Sequence, residues 1–191
     1  MRFSASIILS GLLATALAAP TPKTKTTAAA AAAGASTLTV RSYADFQVSD
    51  GVAGNALAEV QAKFPVCSLS HSHFHNANSN PPQTPADLAA VSDADHQIIK
   101  DARQTAEAAE TDAFNPAIDA ASGAAATALQ NGKIKNKVLK LALEVMDLQI
   151  SQAQGADNQG KIDEEQKKLD NNIATDKKNA GQASQSVAFN G

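Results

Sequence analysis

A chain of 191 residues with a formal charge of −3 and a single cysteine has room for one domain and excludes an intrachain disulfide. Acidic and basic residues are interspersed, aromatics make up 4% and Trp is absent, so the basic stripe and stacking rings of a nucleic-acid binder are missing. Stability must come from packing alone.

The N-terminus reads as a signal peptide over residues 1–18. Arg2 precedes an apolar run from Ile7 to Leu17, and Ala16-Leu17-Ala18 offers small residues at the positions that signal peptidase reads. The run falls short of the about 20 apolar residues needed to span a bilayer, so no transmembrane segment is expected. Cleavage after Ala18 removes one cation and takes the formal charge from −3 to −4. Residues 19–41 read as a low-complexity linker. A Thr/Pro stretch from Pro20 to Thr27 suits O-linked sugars, and Ala28 to Ala33 have little apolar surface with which to dock. No Asn-x-Ser/Thr sequon occurs, so N-glycosylation is not expected.

Residues 42–189 carry helical periodicity. Ser49-Asp50 offers an N-cap, and Val52, Ala56, Val60 and Phe64 recur at helical spacing up to Pro65. Residues 66–83 form an irregular insertion without periodicity. Thr84-Pro85 restarts a helix with a cap and a first-turn proline. Ser92 and Asp95 have the spacing of a capping box, and the helix they open runs to about Phe114 with Ile98, Ala102, Ala106, Ala109 and Ala113 on one side. Asn115-Pro116 predicts an end and a new start, with Ile118, Ala121, Ala125 and Leu129 as the next apolar face and Asn131-Gly132 as its left-handed stop.

Lys133 to Gln152 predicts the central helix. Only Asn136, Lys140, Glu144, Asp147 and Ser151 make a polar stripe on an otherwise apolar surface, which suits neighbours on several sides. A turn over Gly155–Gly160 leads to a last helix from about Lys161 to Ala180, seamed by Ile162, Leu169, Ile173 and Ala180. Asp163–Lys167 and Glu164–Lys168 are its i,i+4 pairs. Strand character is confined to Leu38–Val40 and Val187–Phe189. The sum is an all-α, up-and-down bundle of four to five helices.

The motifs of common enzyme classes are absent: no Gly-x-Ser-x-Gly, His-Glu-x-x-His, Cys-x-x-Cys, phosphate-binding loop or dinucleotide fingerprint occurs. No catalytic, cofactor-binding or metal-binding residue is therefore assigned, and the chain is expected not to be an enzyme. Asp93/Asp95 and Glu107/Glu110/Asp112 read as exposed helix carboxylates. One constellation invites chemistry, His71-Ser72-His73-Phe74-His75, whose alternating imidazoles suit Cu(II), Ni(II) or Zn(II) with Cys67 or His96 completing the shell. A solvated loop is the competing reading.

Four stretches carry a family resemblance: Asp45 to Leu57, Asp112 to Asp119, Asn131 to Leu139 and Ala180 to Val187. Over about residues 42–65 and 84–189 the chain resembles an uncharacterised family of alanine-rich small secreted proteins of filamentous ascomycetes. The resemblance implies secretion and a helical fold, and it carries over no functional residue. A looser similarity, in size and alanine content, is to fungal hydrophobic-surface-binding proteins. The expected function is that of a secreted, extracellular, effector-like protein without catalytic activity, acting on a cell wall, a host partner or a hydrophobic surface. The alternatives are a carrier of a lipid or small apolar metabolite between helices and, third, metal binding through His71–His75. Partner and oligomeric state stay open.

Residues 66–83 also read as a translated intron. Val66-Cys67 can be encoded by GTATGT, a favoured fungal splice donor; Ala77-Asn78 by GCTAAC, which holds a branch point; and Gln83 by CAG, an acceptor. The 18 codons make 54 nucleotides, in frame. Excision joins Pro65 to Thr84 and removes Cys67 and the three clustered His. The rival is a genuine insertion, tolerable because loop-closure entropy grows slowly with length. Transcript sequencing decides between them: the intron reading expects a Pro65–Thr84 join, and mature messages that keep codons 66–83 overturn it.

Overall fold

The computed structural model describes residues 38–66 and 85–190. Residues 1–18, read above as a signal peptide, most of residues 19–41, Cys67 and His71, His73 and His75 lie outside the described residues. Along the chain, α1 (Tyr43–Phe46), β1 (Gly51–Val52), α2 (Ala56–Lys63), α3 (Pro85–Ala89) and α4 (Asp93–Ala109) come first. A π-helical turn (Glu110–Phe114), α5 (Asn115–Ala120), α6 (Gly123–Ala153), α7 (Gln159–Lys178) and β2 (Ala183–Ser184) follow. The fold is an all-α bundle. Its one sheet element among the described residues pairs β1 antiparallel with β2, Gly51 opposite Ser184 and Val52 opposite Ala183.

Helix α6, 31 residues and about 46 Å long, is the axis. It packs against α2, α3, α4, α5, α7 and β2. Val138, Leu139, Ala142, Leu143, Val145, Met146 and Ile150 are inaccessible to solvent, as the wide apolar surface of the sequence requires. Against them α4 sets Ile99, Ala102, Ala106 and Ala109, α2 sets Val60 and Phe64, and α7 sets Leu169. Alanines on the inner face of α4 let its backbone approach α6 closely. Ile99 is the fully buried residue there; Ile98, assigned to that face from the sequence, packs half-buried beside it.

The π-helical turn explains the next departure. A turn of i→i+5 bonds inserts one residue, so the inward position after Ala109 falls on Phe114, five residues on, and Ala113 is turned partly outward. Pro116 lacks an N–H and cannot enter an unbroken α-helical ladder; the wider turn before it absorbs that defect. Asn115 therefore stays helical (φ −58°, ψ −54°) and does not cap, and its Oδ1 accepts from Lys133 Nζ at 2.6 Å.

Two sequence-based boundaries are corrected. Asn131-Gly132 does not stop a helix but lies buried within α6, Gly132 outside the left-handed region. Asn131 Nδ2 donates to Ala183 O at 2.9 Å, and a Cβ at position 132 would lie 1.9 Å from Gln185 O. Both residues serve a tertiary crossing and not a turn. Similarly, Ser49-Asp50 does not open α2, because Gly51 (φ 84°) and Gly54 (φ 118°) break the backbone and Val52 pairs in β1. The cap of α2 comes from α7 instead. Asp176 accepts from Gly54 N and Ala56 N, each at 2.9 Å, placing a carboxylate at the positive end of the helix.

Lys135 locks the same region. Its side chain is 0% exposed, and Nζ donates to Asp50 O (2.8 Å), Val52 O (3.1 Å) and Glu59 Oε1 (3.0 Å), using all three of its protons. Lys135→Met keeps the volume but removes the donor to the Asp50 and Val52 carbonyls and to Glu59, and should cost about 2 kcal/mol, or roughly 4–8 °C in melting temperature. A melting curve that matches the parent would show that this ammonium is not what holds β1 to α6.

Candidate functional site

Most of the polar stripe of α6 turns toward α4, with Asn136 buried and Lys140, Glu144 and Asp147 half-buried. It forms an antiparallel ladder with α4. Asn136 Nδ2 donates to Ala106 O at 2.7 Å, and Lys140 Nζ lies 3.1 Å from Glu110 Oε2. Glu144 Oε2 is 3.0 Å from Arg103 Nε, and Asp147 Oδ1 is 2.6 Å from His96 Nε2. A carboxylate accepts, so His96 Nε2 carries the proton. Lys100 Nζ, at 3.7 Å, is a second cation beside Asp147. Tyr43 closes one end of the ladder, its hydroxyl donating to Asn136 Oδ1 at 2.8 Å, and burial pushes that phenol up to about 12.

These contacts revise the reading of the acidic residues. Asp95 is buried and accepts from Leu38 N at 2.8 Å, while the Ser92 hydroxyl accepts from Asp95 N as expected of its cap. Glu110 is a rung of the ladder, shared by Lys137 and Lys140. Asp93, Glu107 and Asp112 are exposed, Glu107 pairing with Arg103 at 2.8 Å. His96, offered as a fourth metal ligand, is committed to Asp147. Among the described residues no group of three His, Cys, Asp or Glu side chains could hold a metal ion. The partnership of α4 with the stripe was missed because a charged helix face reads as solvated; the complementary spacing of His96, Arg103 and Glu110 was the available signal.

Two surface features remain. A cleft of about 200 Å³ has Phe46, Phe64, Ile98 and Ala102 in its lining and Arg41 and Asp101 at its polar margin. Arg41 is engaged there, stacked 4.8 Å from the Phe64 ring centroid and donating to Lys63 O at the C-terminal end of α2. The cleft is smaller than the roughly 300–1,000 Å³ that encloses an organic ligand. The second feature is the hairpin tip formed by α5 and the first two turns of α6. Beyond Phe114 and Leu129, none of residues 115–128 is buried, and Ala120, Ala124 and Ala125 are exposed. Alanine has the highest helix propensity, which lets this tip stay helical without burial.

Together these define a small helical-bundle domain whose polar interior is structural, with a cleft and a small-residue tip at its surface. The chain belongs to the family described as a domain of unknown function (DUF8454), whose model matches residues 38–188. No curated protein and no solved structure matches the chain. No helix among the described residues is long and apolar enough to cross a membrane.

The ladder makes a prediction through Glu144. Burial raises its carboxyl above the ordinary value of 4.5, outweighing the opposing pull of Arg103. A raised folded-state value means that the charged form costs stability: the cost is absent below the ordinary Glu range and present in full only above the raised folded-state value. Glu144→Gln, which still accepts from Arg103, should melt at or above the parent at pH 7, with the difference shrinking as the pH falls through 4.5. Thermal unfolding followed by circular dichroism from pH 4 to 7 checks this; a variant less stable at pH 7 would make the Arg103 pairing the larger effect.

Proposed function

We propose that this chain is a secreted, non-enzymatic protein that acts by adsorbing to a hydrophobic surface or wall, and that it belongs with the alanine-rich small secreted proteins of filamentous ascomycetes that its sequence resembles. The observation that carries the reading is the hairpin tip. Twelve residues from Ala117 to Ser122 and Gly123 to Ala128 include seven alanines and Ile118 and a single charge, Asp119, and none of them is buried. A helical tip that contributes nothing to the core and presents methyl groups is suited to an apolar surface. The alanines of α4, by contrast, are spent on close contact with α6 and are not available to a partner.

The carrier reading is less well supported, since the cleft of about 200 Å³ is shallow for a lipid. Adsorption to an alkyl-coated quartz crystal tests the proposal. The parent should give saturable adsorption, and the triple variant Ala120→Glu, Ala124→Glu, Ala125→Glu should lose most of it, several-fold in adsorbed mass, with helical content unchanged. Equal adsorption by the two proteins refutes the role of the tip, and stoichiometric uptake of an apolar probe in solution would favour the carrier. N-terminal sequencing of protein from the culture medium should read from Ala19; a cell-bound pool that retains Met1 would refute secretion.

A further inference from the structure

A strap, residues 181–190, crosses the first third of α6 through a notch that only glycine leaves open. At Gly132 a Cβ would stand 1.9 Å from Gln185 O and 3.2 Å from Phe114 Cε1, so the strap backbone occupies the volume of a side chain. Backbone groups supply most of the grip. Gln185 N donates to Ala128 O and Ala53 N to Gln182 O, each at 3.0 Å, and the Asn131 amide donates to Ala183 O. Ser186 N donates to Asp50 Oδ1 at 2.8 Å. Beyond the crossing, the Phe189 ring meets Tyr43 edge to face at 5.7 Å.

The strap itself brings few side chains to this contact. Ser184 is its one buried residue among those described, and no residue from 181 to 190 is charged. It departs from α7 through Gly181, whose φ of 80° is a turn conformation open to glycine. A segment with little buried apolar surface belongs to the low-stability end of a fold and opens without unfolding the rest. A notch that grips an extended chain by its backbone binds the same chain equally well from another molecule.

We propose that the Gly132 notch with the adjoining β1 edge is a strand-accepting site, and that its second occupant is the strap of another copy of this chain, giving a strap-exchanged dimer. Each bond of the monomer has its counterpart in such a dimer, so exchange costs only the opening. The neutral strap brings no charge repulsion to the crossing. The proposal is independent of the adsorption reading, which concerns the opposite use of a different surface.

The test uses the full chain and a fluorescent synthetic peptide of residues 181–190. Anisotropy titration should show saturable one-to-one binding, several-fold tighter to Phe189→Ala, whose own strap has lost its contact with Tyr43. Gly132→Val should bind the peptide at least tenfold more weakly. Native mass spectrometry of mixed light and isotope-labelled chains at high concentration should show mixed dimers that excess peptide disperses. No saturable binding to either the parent or Phe189→Ala, or undiminished binding by Gly132→Val, overturns the strand-accepting site. Should Gly132→Val fail to fold, the Phe189→Ala comparison still decides. Peptide binding without mixed dimers overturns the second copy as occupant.

Discussion

Helix α6 carries polar side chains along faces that the bundle buries, and each of them needs a partner supplied from elsewhere in the chain. Asn131 takes the strap, Lys135 the β1 turn and Glu59, Asn136 the α4 backbone and Tyr43, and Glu144 and Asp147 the basic residues of α4. The strap, the β1 turn, α2 and α4 are thereby each set in register along α6 by a specific polar contact. The apolar tracks supply the driving force for collapse, but leucine and valine alone would accept many sliding registers. Paired buried groups penalise all registers but one.

The same requirement explains how the short elements hold. The eight-residue α2 is too short to be stable alone, and its N-terminal N–H groups are met by Asp176 from α7. At its other end Arg41 serves the Lys63 carbonyl. Glycines appear where backbones must touch: Gly54 against Ala180, Gly132 against Gln185. These contacts tie the last described residues to the first and close the fold around α6 without a disulfide.

What this leaves at the surface is informative about function. The titratable groups of the interior are consumed by structure, His96 by Asp147 and Lys135 by three oxygens. None of the small apolar residues at the hairpin tip is buried. The proposed surface role rests on the second of these features, the methyl-rich tip in which no residue is buried.

How far the sequence could be read depended on the range of the interaction. The all-α class, the central helix, the Ser92 cap and the Leu169 seam of α7 were legible because periodicity and caps are local patterns, expressed within one or two turns. Asn131-Gly132 misled because the pair has a strong local meaning as a helix stop, overridden here by a crossing strap more than 50 positions away. The exposed reading of Asp95 and Glu110 misled in the same way, since Asp95 is met by Leu38 N and Glu110 by Lys137 and Lys140 of α6. The π-helical turn changed the phase by one residue, which moved burial from Ala113 to Phe114. Sequence by itself therefore determined which segments are helical and which helix is central. Tertiary structure alone decided where α2 begins, that α6 continues through Gly132, and which charges are buried, because each is settled by the energetic cost of leaving a buried polar group or backbone without a distant partner.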